Sequence, residues 1–193
     1  MTEHWPTTGS EDLGDFRVFN LRRERRRSPR TGAVHDFYVL GMPDWVNVIP
    51  VTPEGKVVVI RQYRHGTGEV SLEIPGGVVD AGETHGETAR RELLEETGYA
   101  AGEIIPIGRV AANPAIQDNH MHTFLALGAR REREPRLDAA EEIAVEEVDL
   151  AEVETLIRNG EIDHALVVAG FYWLELYRLR NPGVFPPGLR SRQ

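Results

Sequence analysis

The residues best suited to chemistry are the glutamates packed between Gly77 and Tyr99, a Gly-rich stretch that reads Gly-Val-Val-Asp-Ala-Gly-Glu-Thr-His-Gly-Glu-Thr-Ala-Arg-Arg-Glu-Leu-Leu-Glu-Glu-Thr-Gly-Tyr. Thr84 and Glu87 have the Thr-x-x-Glu spacing of a capping box, which predicts a helix starting after Thr84. Gly98 suits the left-handed position that ends one. At about 100° per residue, Glu92, Glu95 and Glu96 share about one third of the circumference, with Leu93, Leu94 and Thr97 towards a core. Like charges at i, i+3 and i+4 repel by a few tenths of a kcal/mol per pair. They also lie late in the helix, where the macrodipole disfavours anions. Divalent cations would offset that cost, and hard carboxylate oxygens select Mg²⁺, Mn²⁺ or Ca²⁺ over zinc. Arg91, four residues before Glu95, can pair with it and leave Glu92 and Glu96 freer for a metal. The plainer alternative is a solvated acidic helix.

The elements that must position this group follow from periodicity and turn signals. Residues 1–15 read as a flexible tail. Residues 16–41 read as a β-hairpin around Ser28-Pro29-Arg30-Thr31-Gly32, with weak alternation at Phe16, Val18 and Leu21 and a second strand from Ala33 to Leu40. Arg22-Arg23-Glu24-Arg25-Arg26-Arg27 could suit nucleic acid, but an edge strand guarded by charge is the commoner origin of such a run. The main domain is expected over 42–181. Trp45 to Val51 and Lys56 to Tyr63 are strands around Thr52-Pro53-Glu54-Gly55, and Val70 to Ile74 leads through Pro75-Gly76 into the acidic stretch. Arg61 and Arg64 near a strand end are either solvated charges or a clamp for phosphate or a partner carboxylate. Further strands are expected at Ile104 to Val110, His120 to Leu127 and Ile143 to Val148. His120 and His122 share a face and can ligate metal, although substrate contact or packing suits a pair without a third ligand better. Leu150 to Asn159 reads as a helix ending at Gly160. Asp163 can cap a last helix, whose stripe of Leu166, Ala169, Gly170, Trp173, Leu174 and Tyr177 is core or subunit interface. Residues 182–193 read as a tail.

Composition narrows the class. A 193-residue chain with 40% hydrophobic and 27% charged residues has the make-up of a globular domain with a full core. No apolar run reaches the roughly 18 residues of a membrane span, and the polar N-terminus has no basic-then-apolar leader pattern. The absence of cysteine removes disulfides, zinc–thiolate sites and thiol nucleophiles, and is compatible with the cytoplasm, the location expected. A net charge of −9 argues against general nucleic-acid affinity, yet phosphates can still bind where metal ions bridge the charges.

The stretch resembles the Nudix box, Gly-x5-Glu-x7-Arg-Glu-U-x-Glu-Glu-x-Gly-U, through Gly77, Glu83, Arg91, Glu92, Leu93, Glu95, Glu96 and Gly98, with Tyr99 as a loosely apolar last position. The resemblance extends from about Trp45 to Arg180 and is closest to the ADP-ribose pyrophosphatase and nucleoside-diphosphate-sugar hydrolase branch. Arg61-Gln62-Tyr63-Arg64, Glu73-Ile74-Pro75-Gly76-Gly77, Pro114 and Glu161-Ile162-Asp163-His164-Ala165 carry it. It implies an α/β/α sandwich with a mixed sheet, preceded by a small N-terminal β domain that homodimers of the branch exchange. The implied reaction is Mg²⁺-dependent, with Mn²⁺ possible, and hydrolyses the pyrophosphate of a nucleotide sugar such as ADP-ribose, GDP-mannose or UDP-glucose.

By position, the resemblance implies Glu92, Glu96 and the Gly76 carbonyl as metal ligands, and Glu95 as a ligand or the partner of Arg91. Glu83 would support the loop. A further carboxylate, Glu141 or Glu142, would complete the metal site or activate water. One departure is Ala139, where some ADP-ribose hydrolases carry a catalytic glutamate, which leaves Asp138, Glu142 or a box glutamate for that role. The loop Asn113-Pro114-Ala115-Ile116 also lacks a Ser-Pro-Gly pattern and points to a broader substrate range. Arg61, Arg64 and Glu73 are candidates near the phosphates or sugar, Trp45 for stacking on the base, and Asn113 and His122 for further substrate contact. The competing functions are a Nudix-fold nucleotide-sugar sensor without turnover, and an enzyme for nucleoside triphosphates or dinucleoside polyphosphates.

Overall fold

The computed structural model describes residues 3–139 and 141–185. The chain divides into two compact units, Met1–Asp44 with Ala111–His120, and Trp45–Val110 with Met121–Gln193. No described helix is long and apolar enough to cross a membrane.

The first unit carries a three-stranded antiparallel sheet in the order β1 (Thr7–Asp15), β2 (Asn20–Arg27), β3 (Val34–Gly41). The stretch expected to be a flexible tail therefore contributes a strand, whose polar, Gly-containing sequence gives little periodic signal. Phe16 to Phe19 forms the β1–β2 turn, closed by the Phe16 N–H donating to the Phe19 carbonyl at 2.8 Å. The arginine run, expected on a guarded edge, fills the central strand. Its charges are matched within the sheet. Arg22 and Arg26 both bond to Glu24, which is almost fully buried and held below the usual carboxylate range by those two hydrogen bonds. Arg23 pairs with Glu11 and Asp36. Arginines engaged in this way leave little for a nucleic-acid surface. In the same unit Asn113 closes a turn, its carbonyl accepting from Ile116 and Gln117.

The second unit is built on a mixed sheet of order β12-β5-β4-β10-β9, formed by β4 (Trp45–Val51), β5 (Lys56–Arg64), β9 (Glu103–Ala111), β10 (His120–Leu127) and β12 (Ile143–Asp149). Two strands pair off that path: β6 (Glu69–Glu73) with β5 and β7 (Gly76–Val78) with β4. The β4–β10 pair is parallel, in register from Met121↔Trp45 to Leu127↔Val51. Two-residue strands β8 (Tyr99–Ala100) and β11 (Arg130–Arg131) pair beside it.

Helices cover both faces, which explains why β4 and β5 read as near-continuous apolar runs. Val46, Val48, Val58, Phe124 and Ala126 pack with Ala89 and Leu93 of α1 (His85–Thr97). Ile49, Val57, Val59 and Leu125 pack with Val153 of α2 (Val153–Arg158) and Val167, Phe171 and Leu174 of α3 (Ala165–Arg180). This is the expected α/β/α sandwich. Truncating a fully buried leucine in either layer costs about 2–5 kcal/mol.

The Leu150–Asn159 helix begins as a 3-10 turn, Leu150–Glu152, and is α-helical only over α2. The last helix is capped by His164 and not Asp163, without a side-chain cap bond. Its fully buried stripe is Val167, Gly170, Phe171 and Leu174, rotated from the expected one, because Trp173 instead lies against Gly108, where a Cβ would come within 2.2 Å of the indole. Of the expected tail, Phe185 is buried beneath Arg178, and residues 186–193 lie outside the described residues.

Candidate active site

The site is built on α1 and the short strand beside it, all within the second unit. Thr84 caps the helix, accepting from the Glu87 N–H, and Glu87 accepts from the Thr84 N–H at 2.8 Å, the reciprocal capping box. At the other end Gly98 adopts φ 75°, and a Cβ there would fall 2.0 Å from the Arg133 carbonyl oxygen. Both the left-handed backbone and the close approach demand glycine. Tyr99 follows, buried, with its hydroxyl donating to Glu147 at 2.6 Å; burial and then that carboxylate push its pKa up to about 12.

Glu96 is only 3% exposed. Its Oε2 accepts the Gly76 N–H at 2.8 Å, and burial drives its pKa up to about 8 against that hydrogen bond, with the charges of Glu92 and Glu141 adding to the rise. Glu92 is also pushed up, first by burial and then by Glu95 and Glu141, although Arg91 opposes the shift. Gly77 lies so close to the helix that a Cβ would meet Glu92 Oε1 at 2.3 Å, and one on Gly76 would meet the Val46 carbonyl at 2.2 Å. These two glycines let β7 run between β4 and the carboxylates.

Arg91 does not pair with Glu95 in preference to the rest of the group, as helical spacing suggests. Its Nε and Nη2 form a fork on Glu83 at 3.0 Å each, and its Nη1 reaches Glu92 at 2.8 Å and Glu95 at 3.2 Å. Glu83 also accepts from the Thr88 hydroxyl at 2.7 Å. Arg91 thus ties the loop before α1 to the helix and offsets part of the glutamate repulsion. Of Glu92, Glu95 and Glu96, Glu95 is the most exposed, at 43% of its side chain.

Glu141 belongs with this group, since its charge acts on Glu92, Glu96 and Arg64. Its Oε2 accepts the Asp138 N–H at 3.0 Å, closing the loop before β12. Glu142 instead lines a cavity of about 330 Å³ with Gln62, Tyr63, His65 and Ala139. Arg64 forms a fork on Glu73, Nε and Nη2 both at 2.7 Å, and His164 Nδ1 meets the same carboxylate at 2.9 Å. Arg61 is engaged with Glu146 at 2.7 Å, a half-exposed surface pair. Trp45 is half-buried at the start of β4, in register with Val78. His122 stacks on His85 of the first helical turn, with ring centroids 3.8 Å apart. His164 lies within the Glu161–Ala165 stretch that carries the resemblance, but the sequence assigns it no role, because its partner lies 91 residues away.

The donor set fits a hard divalent cation. Glu92 and Glu96 are carboxylates held in a desolvated place, and Glu96 receives a single hydrogen bond among the described residues. A buried acid compensated as little as Glu96 is stabilised either by a proton or by a metal.

Residues 43–171 match the NUDIX domain. The chain is 32% identical over 171 residues to an ADP-ribose pyrophosphatase of Bacillus subtilis (strain 168), covering 88% of this chain and 92% of that protein. It is 30% identical to a methanol dehydrogenase activator of Bacillus methanolicus over the same shares of the two chains. Among solved structures, that of an ADP compounds hydrolase superposes with a TM-score of 0.83 at 21% identity, covering 96% of this chain and 99% of the other. The chain belongs to the NUDIX family. It is a Nudix hydrolase of the pyrophosphohydrolase type.

Proposed function

We propose that this chain is a Mg²⁺-dependent hydrolase, able also to use Mn²⁺, that splits the pyrophosphate of nucleoside diphosphate sugars, with ADP-ribose as the leading substrate. The observation that carries this reading is the partly buried Glu92 beside the buried Glu96, which accepts the Gly76 N–H, with desolvation raising both pKa values. Similarity to an ADP-ribose pyrophosphatase over most of both chains supports the choice of substrate.

Glu92, Glu96 and the Gly76 carbonyl would hold the metal, with Glu95 or Glu141 as a further ligand. A cation held there would supply neutralisation of diphosphate charge, polarisation of a P–O bond and a lowered pKa for bound water. Where Glu95 is the further ligand, Glu141, within electrostatic reach of Glu92 and Glu96, would take the proton of the attacking water; where Glu141 is the ligand, that role falls to Asp138, Glu142 or a box glutamate. Arg91 holds Glu83, Glu92 and Glu95 in place. Arg64 keeps its Nη1 edge for a phosphate oxygen, since Nε and Nη2 are engaged by Glu73. Water oxygen bonds to one phosphorus, the bridging P–O bond breaks, and ADP-ribose yields AMP and ribose 5-phosphate.

Trp45 and His122 would contact the nucleoside end. GDP-mannose and UDP-glucose are further substrates of the same bond type, and the working form is a homodimer. A substrate panel of ADP-ribose, GDP-mannose, UDP-glucose and dinucleoside polyphosphates with Mg²⁺ tests the reading. Release of AMP and ribose 5-phosphate from ADP-ribose supports it, and no turnover of any of these with Mg²⁺ or Mn²⁺ overturns it.

A further inference from the structure

Glu73 is a buried carboxylate to which the proposed hydrolysis assigns no step. It ends β6 at 2% exposure, and three N–H donors converge on it. Arg64 supplies two in a planar fork at 2.7 Å, and His164 supplies the third at 2.9 Å. An ionised carboxylate can only accept, so the hydrogen is on His164 Nδ1.

His164 occupies an unexpected place for a histidine. It is the N-cap of α3, a position that favours Ser, Thr, Asp or Asn because their side chains satisfy the first free N–H groups. Its ring makes no such bond and reaches from the helix start to Glu73 instead. The helix forgoes a side-chain cap, and the imidazole bonds instead to the residue that orients Arg64. Arg64 is 43% exposed in its side chain, and its charge is felt at Glu96. It therefore lies at the rim of the acidic group with one edge of the guanidinium engaged and the Nη1 edge without a protein partner among the described residues.

We propose that His164 is a positioning residue for anion recognition: by holding Glu73 from the start of α3, it fixes the plane in which Arg64 presents its Nη1 edge to a phosphate of the bound diphosphate. The identity of that anion rests on the hydrolase reading above; the coupling of His164 to Arg64 does not.

The test uses the full chain and the variants His164→Ala, His164→Asn, Arg64→Lys and His164→Ala with Arg64→Lys, each checked for folding by its melting temperature. Inorganic pyrophosphate with Mg²⁺ is the calorimetric probe, and ADP-ribose is the kinetic one. His164→Ala is expected to raise the pyrophosphate Kd and the ADP-ribose KM by about fivefold to tenfold, the scale of one lost charge-assisted hydrogen bond, while kcat stays within about threefold. His164→Asn, whose amide can donate in place of Nδ1, restores both. In the Arg64→Lys background, which has no fork to orient, His164→Ala adds less than about twofold, the mark of coupled sites. In metal-free protein the Arg64 Nε–H NMR signal exchanges with water faster in His164→Ala than in wild type. Unchanged pyrophosphate affinity in His164→Ala, the same loss in the Arg64→Lys background, or wild type that does not bind pyrophosphate overturns the proposal. Coupled pyrophosphate binding without ADP-ribose turnover by wild type overturns the substrate reading and leaves the role of His164 standing.

Discussion

The Gly76 amide donates to Glu96 Oε2 at 2.8 Å, joining strand β7 to the helix that carries the acidic group. This is a single neutral donor for a carboxylate almost wholly removed from water. Burial outweighs it and favours the protonated form of Glu96 in the absence of metal.

Replacing Glu96 with Gln keeps the shape and removes the charge. Turnover with Mg²⁺ is expected to fall at least about a hundredfold, as for loss of a group at the reacting phosphate. Far-UV circular dichroism should be unchanged. Equal rates in wild type and Glu96→Gln would remove this residue from the mechanism.

The same group gives stability a definite pH slope. Its pKa rises from 4.5 unfolded to about 8 folded, so the folded state holds the proton more tightly. That contribution is fully present below pH 4.5 and is lost as pH rises through about 8, an effect of up to a few kcal/mol. In EDTA, wild type should lose stability relative to Glu96→Gln across this window. Parallel denaturation midpoints for the two proteins from pH 5 to pH 9 would refute the assignment.

Metal should reverse that slope. Binding at Glu96 displaces its proton, so Mg²⁺ affinity is expected to increase as pH rises towards about 8. Titration calorimetry in two buffers of different ionisation enthalpy reads the proton release directly. No dependence of the observed heat on the buffer would count against Glu96 as the ligand.

Glu73 behaves in the opposite sense. Burial raises its pKa, but the hydrogen bonds from Arg64 and then His164 outweigh that and hold it at about 2. Its contribution is present above the ordinary value of 4.5 and is lost as pH falls towards 2, on the order of 3 kcal/mol. Glu73→Gln should therefore be less stable than wild type at pH 7 by roughly that amount, with the gap closing below pH 4. A gap that stays constant down to pH 2.5 would show that the ion pair is not its source.

Gly77 gives a steric prediction. A methyl group at this position must displace Glu92, whose Oε1 would be 2.3 Å away. Gly77→Ala is expected to cost about 1–3 kcal/mol from overpacking and to weaken Mg²⁺ binding as well. Wild-type metal affinity in Gly77→Ala would mean that Glu92 is free to move without consequence.

Much of this architecture is legible in the sequence because its signals are local. The capping box at Thr84 and Glu87, the Gly98 terminator and the apolar runs of β4 and β5 each lie within a few neighbouring residues, and the strands and α1 follow them. The acidic group can be placed on one helix for the same reason. What escapes depends on partners distant in the chain. The Thr7–Asp15 strand is polar and is held by pairing with β2, not by its own pattern. The arginine run reads as an edge until β1 is known to cover its other side. Asp163 is the better capping residue by propensity, yet the cap falls on His164, whose ring bonds to Glu73. Likewise, helical spacing matches Arg91 with Glu95, while Glu83, eight residues earlier, receives the fork.

Strand β4 carries none of the carboxylates, yet it packs beneath the helix that carries them. Val46 and Val48 pack under α1, Ile49 and Val51 face the layer of α3, and its backbone meets Gly76 and Gly77 edge to edge. Any slackening of the C-terminal helices is thereby transmitted through one rigid plank to the carboxylates on the far face. Distant replacements in α3 can thus spoil the alignment of Glu92 and Glu96 without approaching the cleft, and the tolerance of the catalytic apparatus to mutation is set by how firmly that plank is gripped on both sides.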